Sequence, residues 1–358
     1  MSEELVRLLS ELSCAMGVPG FEDPAREVMR RHLAPVGRVR TDALGSIMAE
    51  RRGLAERPRV LLAGHLDEVG FMVSSVSDDG FIRFQTLGGW WEQVMLAQRV
   101  VVHGSHGPVP GVIGSKPPHV IPHDERKKPV ERKEMFIDVG ARSRDEVTAL
   151  GIRPGDPIVP DPAFTPLAGG RRVLGKAFDD RVGCAVAVEV MRRLASQEHP
   201  NTLVAAGTVQ EEVGLRGAAT LVEMASPDVA FALEVAIAGD TPGMKPEDCQ
   251  ARLGRGPVIL LYDASMVPHR RLRDLVVRTA EEAGIPYQFD VMPGGGTDAG
   301  RFHIWSQGVP SLVIGVPTRY IHTGAALLDV EDLEATVRLM TEVVRRLDEP
   351  TVADLRAF

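Results

Sequence analysis

Cysteine is scarce in this chain of 358 residues. There are three, Cys14, Cys184 and Cys249, with no C-x-x-C spacing. That excludes a disulfide framework and a cysteine-ligated zinc centre, and it fits a reducing compartment. Cys184 sits among Val and Ala and reads as a small core residue. No run of about 18 apolar residues occurs, so no transmembrane helix is expected. The first residues mix acids and an arginine among their leucines, without the basic start and continuous apolar stretch of a signal peptide. A cytoplasmic location is the expectation. Basic charge is also short. The 41 Lys and Arg stand against 49 Asp and Glu, a formal net charge of -8, which argues against nucleic acid as the main partner. No G-x-S-x-G nucleophile signature, no G-x-x-x-x-G-K-[ST] and no G-x-G-x-x-G after a strand is present.

What remains is an ordinary globular composition, 44% hydrophobic and 25% charged, long enough for two domains. Helical periodicity marks 3–15 and 22–33. A buried strand over 59–64 runs into His65-Leu66-Asp67-Glu68. From about residue 71 the helical period disappears, and Gly, Pro and Val dominate through short strands at 81–84, 99–103, 109–113 and 135–139. Within this part, 123–134 carries charges of both signs and reads as a solvated loop. His103, His106, His119 and His123 lack acidic partners at strand ends and are not expected to bind metal. After Gly175 strands and helices alternate again: helices at 180–194, 216–224, 271–283 and 330–347, strands at 202–210, 229–233, 288–292 and 311–316. The fold class is α/β. A mostly parallel sheet lies between helices, and a small β domain, 71–167, splits it into 1–70 and 168–358.

The stretch Gly207-Thr208-Val209-Gln210-Glu211-Glu212-Val213-Gly214 carries the chemistry. An apolar strand leads into two adjacent carboxylates, which are costly to bury without compensation. Alternation along a strand puts Glu211 and Glu212 on opposite faces, with different tasks: one for a metal, the other for a proton. Other strand ends supply partners. His65 and Asp67 follow one strand, Asp179-Asp180 another, Glu234 another, and His322 another. In open α/β sheets such ends converge on one crevice. Two imidazoles and three carboxylates suit two ions of zinc, cobalt or manganese better than magnesium or calcium. Such ions lie roughly 3.5–4 Å apart and share an activated water. Asp67 is placed to accept the other ring N–H of His65. Asp180 is expected to act largely at the start of its helix. One of the glutamate pair then serves as general base.

The same residues give the chain a resemblance to the tetrahedral-aminopeptidase family of di-metal exopeptidases, which includes deblocking and glutamyl aminopeptidases and members labelled endoglucanases. The resemblance covers nearly the whole chain. It rests on Gly64-His65-Leu66-Asp67-Glu68-Val69-Gly70, Gly114-Ser115-Lys116-Pro117-Pro118-His119, Lys176-Ala177-Phe178-Asp179-Asp180-Arg181, Gln210-Glu211-Glu212-Val213-Gly214, Gly295-Gly296-Thr297-Asp298-Ala299 and Arg319-Tyr320-Ile321-His322. It implies a di-zinc exopeptidase fold with a barrel-like insertion that dimerises, and dimers that build a hollow homododecamer. It implies His65, Asp179, Glu212, Glu234 and His322 as metal ligands. Asp179 would bridge, His65 and Glu234 would hold one ion, and Glu212 and His322 the other. Glu211 would be the general base, and short peptides the substrates. Two positions depart from the family pattern: Glu234 stands where aspartate is usual, and Ala326 where a glutamate is usual. Rival readings are an acyl-amino-acid deacylase on the same site, a metal-free glycoside hydrolase, and a binding module that has lost its ions.

Overall fold

The computed structural model describes residues 3–357, apart from the side chain of Glu125. Its centre follows from four apolar strands: Thr202–Thr208, Arg59–His65, Val229–Ile237 and Ser311–Arg319 lie side by side and parallel. Strand alternation divides their side chains between two cores. Val60, Leu62, Leu203, Ala205, Phe231 and Leu233 face one, while Leu61, Ala63, Val204, Ala206, Ala230 and Ala232 face the other. The first core is closed by helices Glu3–Cys14, Asp23–Leu33, Phe178–Leu194 and Val330–Arg346. The second is closed by Arg216–Ala225 and the short helix Ala299–Phe302. Apolar area on both faces is removed from water, which explains why these strands read as continuous runs.

The sheet is mixed. Antiparallel strands Ile47–Arg52 and Arg38–Thr41 extend one flank, and Ala326–Asp329, Arg172–Gly175 and Thr165–Leu167 the other. Val258–Asp263 and Gln288–Met292 branch from Ser311–Arg319. Strands Val258–Asp263 and Ala326–Asp329 escape a reading by period because each is short and one leads straight into a helix. The Val229–Ile237 strand also runs four residues past the expected end at 233. Glu234 therefore sits within a strand rather than beyond its end, held by pairing of Val235 and Ala236 with Val316 and Pro317.

Six strands close into a barrel in the order Gly70–Val76, Ile82–Leu87, Phe136–Asp138, Gly107–Gly114, Arg99–Gly104, Pro157–Pro160. Phe71, Val73, Ile82, Phe84, Val102 and Ile158 are among the residues that fill it. Trp90 stacks on Phe71 with ring centroids 4.6 Å apart and donates its indole N–H to the Gly70 carbonyl at 3.1 Å. That packing fixes the segment after Ile82–Leu87, which carries Gly88 and Gly89 toward the ends of the large sheet.

Candidate active site

His65 is the last residue of its strand, and its imidazole is buried. Its Nδ1 lies 3.0 Å from the Asp67 backbone carbonyl and 3.6 Å from the Asp67 carboxylate. The expected carboxylate partner is thus replaced by a carbonyl of the same residue. With Nδ1 donating there, Nε2 is the free electron pair, and it points to Asp179 Oδ1 at 3.1 Å. His322 is set the same way. It has a left-handed backbone, φ 55°, and its Nδ1 lies 2.6 Å from the Gly89 carbonyl of the barrel segment. Its Nε2 faces Asp179 Oδ2 at 3.3 Å and Glu212 Oε1 at 3.5 Å. Both imidazoles are therefore presented with the same nitrogen toward one carboxylate.

The ligand-type atoms fall into two groups, His65 with Asp179 and Glu234, and Asp179 with Glu212 and His322, each within 4.8 Å. Asp179 belongs to both. Glu211 belongs to neither, and its Oε2 is 3.9 Å from His65 Nε2.

Glu211 and Glu212 do not lie on opposite faces of a strand. The strand ends at Thr208 and Gln210 takes a left-handed conformation, φ 55°. The chain turns there, and both glutamates line the same cavity. Asp67 makes that turn possible. Its buried carboxylate accepts the amide of Glu211 at 2.9 Å and of Glu212 at 3.0 Å. The Asp67 carboxylate thus orients the two glutamates, while its backbone carbonyl holds the imidazole. Glu22 adds a third acceptor, taking the Gln210 amide at 3.1 Å. Asp180 also does more than start a helix. One oxygen accepts the Gly183 amide at 3.0 Å, and the other accepts the His65 amide at 3.0 Å, tying the helix to the strand end.

The electrostatics are those of a site short of positive charge. Burial, then the Asp179 carboxylate, push Glu212 up to about 8. Burial, with Asp298 and Glu212 nearby, raises Glu211, and burial beside Asp180 raises Glu234. Burial works against the imidazolium of His322, but Asp179 and Glu212 outweigh it and hold the ring up to about 10. Burial raises Asp179 as well, yet the bonds from His322 and His65 prevail and hold it below its ordinary range. Glu212 Oε1 is buried with no hydrogen-bond partner. An orphaned carboxylate oxygen in a set of two imidazoles and three carboxylates fits divalent cations, which supply the missing charge.

Several contributors were not legible as site residues. Glu68 follows Asp67 and accepts two bonds from buried Lys176, 2.6 and 2.7 Å, with Arg181 at 3.7 Å. Asp298 lies in the Gly-Gly-Thr-Asp stretch, fully buried, bonded to Thr208 and with Oδ1 unpartnered. Gly89 acts only through its carbonyl, which no side-chain pattern reveals.

An α/β sheet with an inserted barrel is a fold shared with the TET aminopeptidases. A TET aminopeptidase from a marine sediment thaumarchaeon superposes with a TM-score of 0.96 at 48% identity, over 99% of this chain and 100% of that one. The TET1 peptidase of Pyrococcus horikoshii, which can assemble into a tetrahedron or a large octahedral shell, gives 0.85 at 32% identity, over 96% of this chain and 100% of that one. The glutamyl aminopeptidase of Lactococcus lactis is 33% identical over 359 aligned positions, 99% of this chain and 100% of the relative. The model of the M42 glutamyl aminopeptidase family matches residues 45–339. The chain belongs to that family, and it is an aminopeptidase by family. No helix among the described residues is long and apolar enough to cross a membrane.

Proposed function

We propose that this protein is a di-metal aminopeptidase that removes N-terminal residues from short peptides, with Glu211 as general base. One observation carries the reading: two groups of ligand-type atoms share Asp179, while Glu211 stands beside them in neither. His65 and Glu234 would hold one ion, Glu212 and His322 the other, with Asp179 common to both. Zinc is the first choice, and cobalt or manganese suits the same donors. Bound ions would lower the pKa of a water and polarise the scissile carbonyl.

The chain's own groups do the rest. The Nδ1 bonds of His65 and His322 fix their rings, so neither imidazole reorganises as charge develops. Asp67 holds the Glu211 backbone, which keeps its carboxyl at the cluster to take a proton from the attacking water and return it to the leaving amine. Glu234, one methylene longer than the usual aspartate, still reaches within 3.9 Å of His65 Nε2, which supports it as a ligand.

The catalytic parts are residues 1–70 and 168–358, and 71–167 is the unit of self-association. Exposed Val112 and Val120 on the inserted part, with relative exposures of 41% and 64%, support a contact surface there. The P. horikoshii relative, which can assemble into a tetrahedron or a large octahedral shell, supports self-association.

The test is Glu211→Gln. The variant keeps its ions by elemental analysis and loses 10²–10⁴-fold in kcat on aminoacyl anilides, the range for a general base. Wild-type turnover would remove Glu211 from that role. Turnover of N-acetyl amino acids in place of aminoacyl anilides would point to a deacylase.

A further inference from the structure

The side-chain pocket beside the ligand cluster has a composition of its own. The cavity measures about 780 Å³. His65, Asp179, Glu211, Glu212, Glu234 and His322 line one part of it. The rest is walled mainly by apolar groups, among them Ala236, Leu260, Met292, Pro293, Val313 and Ile321. Ala236 lies two residues beyond Glu234 on one strand and shares its face. Ile321 directly precedes His322. A peptide whose first carbonyl sits at the cluster therefore lays its first side chain against this wall.

No lysine or arginine lines the cavity among the described residues. Outside the cluster it carries two more carboxylates, Asp248 and Asp290. Asp290 is buried. One of its oxygens accepts the Val291 amide at 2.9 Å, and the other accepts the Cys249 thiol at 3.0 Å. Asp248 accepts the Lys245 amide at 3.0 Å. Both are engaged by neutral donors, and neither makes an ion pair among the described residues. An acidic side chain entering here would meet like charge, with no lysine or arginine to receive it.

Resting on the aminopeptidase reading, we propose that the first subsite takes an apolar N-terminal side chain of leucine or methionine size and rejects an acidic one, with Asp290 as a specificity-determining residue. In this respect the chain departs from the glutamyl preference in its family's description. The apolar wall accommodates the branched or thioether side chain, and the carboxylate at Asp290 sets the charge that the pocket refuses.

The experiment compares kcat/KM of the metal-loaded enzyme on leucyl, methionyl, lysyl and glutamyl anilides. Leucine and methionine lead, lysine follows, and glutamate falls roughly a hundred-fold or more below leucine, as like-charge exclusion from an apolar pocket without lysine or arginine requires. Asp290→Asn narrows the glutamate-to-leucine gap by about tenfold or more. Glutamate within tenfold of leucine, lysine at the head of the series, or an unchanged gap in the variant overturns the assignment. Turnover of no aminoacyl substrate sinks the aminopeptidase reading instead. The pocket is then judged by thermal shift of the metal-loaded protein with free amino acids. Stabilisation by L-leucine at concentrations where L-glutamate gives none upholds it, and the reverse overturns it.

Discussion

At the scale of single residues, the placing of the two glutamates hangs on Asp67. Two successive amides, those of Glu211 and Glu212, converge on its two oxygens. Asn at this position keeps one acceptor and turns an NH₂ toward the other amide. Asp67→Asn is expected to lower kcat about 10–100-fold, the range for losing a group that orients ligands, and to cost about 1–3 kcal/mol for the unpaired amide. Stopped assays and denaturant unfolding measure both; a variant with wild-type kcat would show that the turn holds without it. The site was readable from sequence to the extent that its members are titratable and stand near strand ends, as His65, Asp179, Glu212 and His322 do. The left-handed turn at Gln210 was not readable, because nothing in the side chain of a glutamine announces a positive φ. Hence two glutamates expected on opposite faces are found lining one cavity. Asp67 showed itself as an acid near His65, but its bonds go to backbone amides that only the fold brings close.

Between elements, the site is held by a buried ion group rather than by packing alone. Lys176 precedes Asp179, Glu68 follows His65, and Arg181 donates to the carbonyls of Leu12 and Ala15 at 2.6 and 3.0 Å. One network therefore fastens the segments that carry His65 and Asp179 to the end of the first helix. Glycine completes the fit where helix meets strand: a Cβ on Gly183 would collide with the Leu233 carbonyl, and one on Gly64 with the Cys184 amide. Lys176→Met leaves the Glu68 carboxylate buried beside a single, more distant guanidinium. Removing one partner of a buried pair costs about 3–5 kcal/mol. Guanidinium unfolding of the chelator-free protein measures it, and Lys176→Met combined with Glu68→Leu should regain part of that loss, since an apolar pair replaces an unmatched charge. A single variant as stable as the parent would show that Glu68 finds another cation. The long central strands and the larger helices were legible because their periods are sustained. The strand Pro157–Pro160 was not: it closes the barrel through pairing with Arg99–Gly104 and Gly70–Val76, and its two prolines argue locally against a strand.

For the whole molecule, assembly and metal loading are the properties a single chain states least directly. If 71–167 is the association unit, light scattering of the purified protein finds a particle of dodecamer size and not a 38.8 kDa monomer; a monomer across micromolar concentrations would remove that role. Metal loading couples to stability through the same cluster that would bind it. Asp179, Glu211, Glu212 and Glu234 come from three separate segments and crowd together with raised carboxyl pKa values at all but Asp179. Without ions, each of those three keeps its negative form only against burial and its neighbours. Ions that bind the folded chain alone add RT ln(1 + [L]/Kd), about 4 kcal/mol for a thousand-fold excess over Kd. Chelation is therefore expected to abolish peptidase activity and to lower the unfolding temperature by several degrees. Adding back zinc, cobalt or manganese should restore both together, because one set of residues carries the charge balance and the chemistry. Activity that survives exhaustive chelation with an unchanged unfolding temperature would mean that this carboxylate cluster is satisfied by protons alone. The two-ion reading of Asp179 would then fall with it.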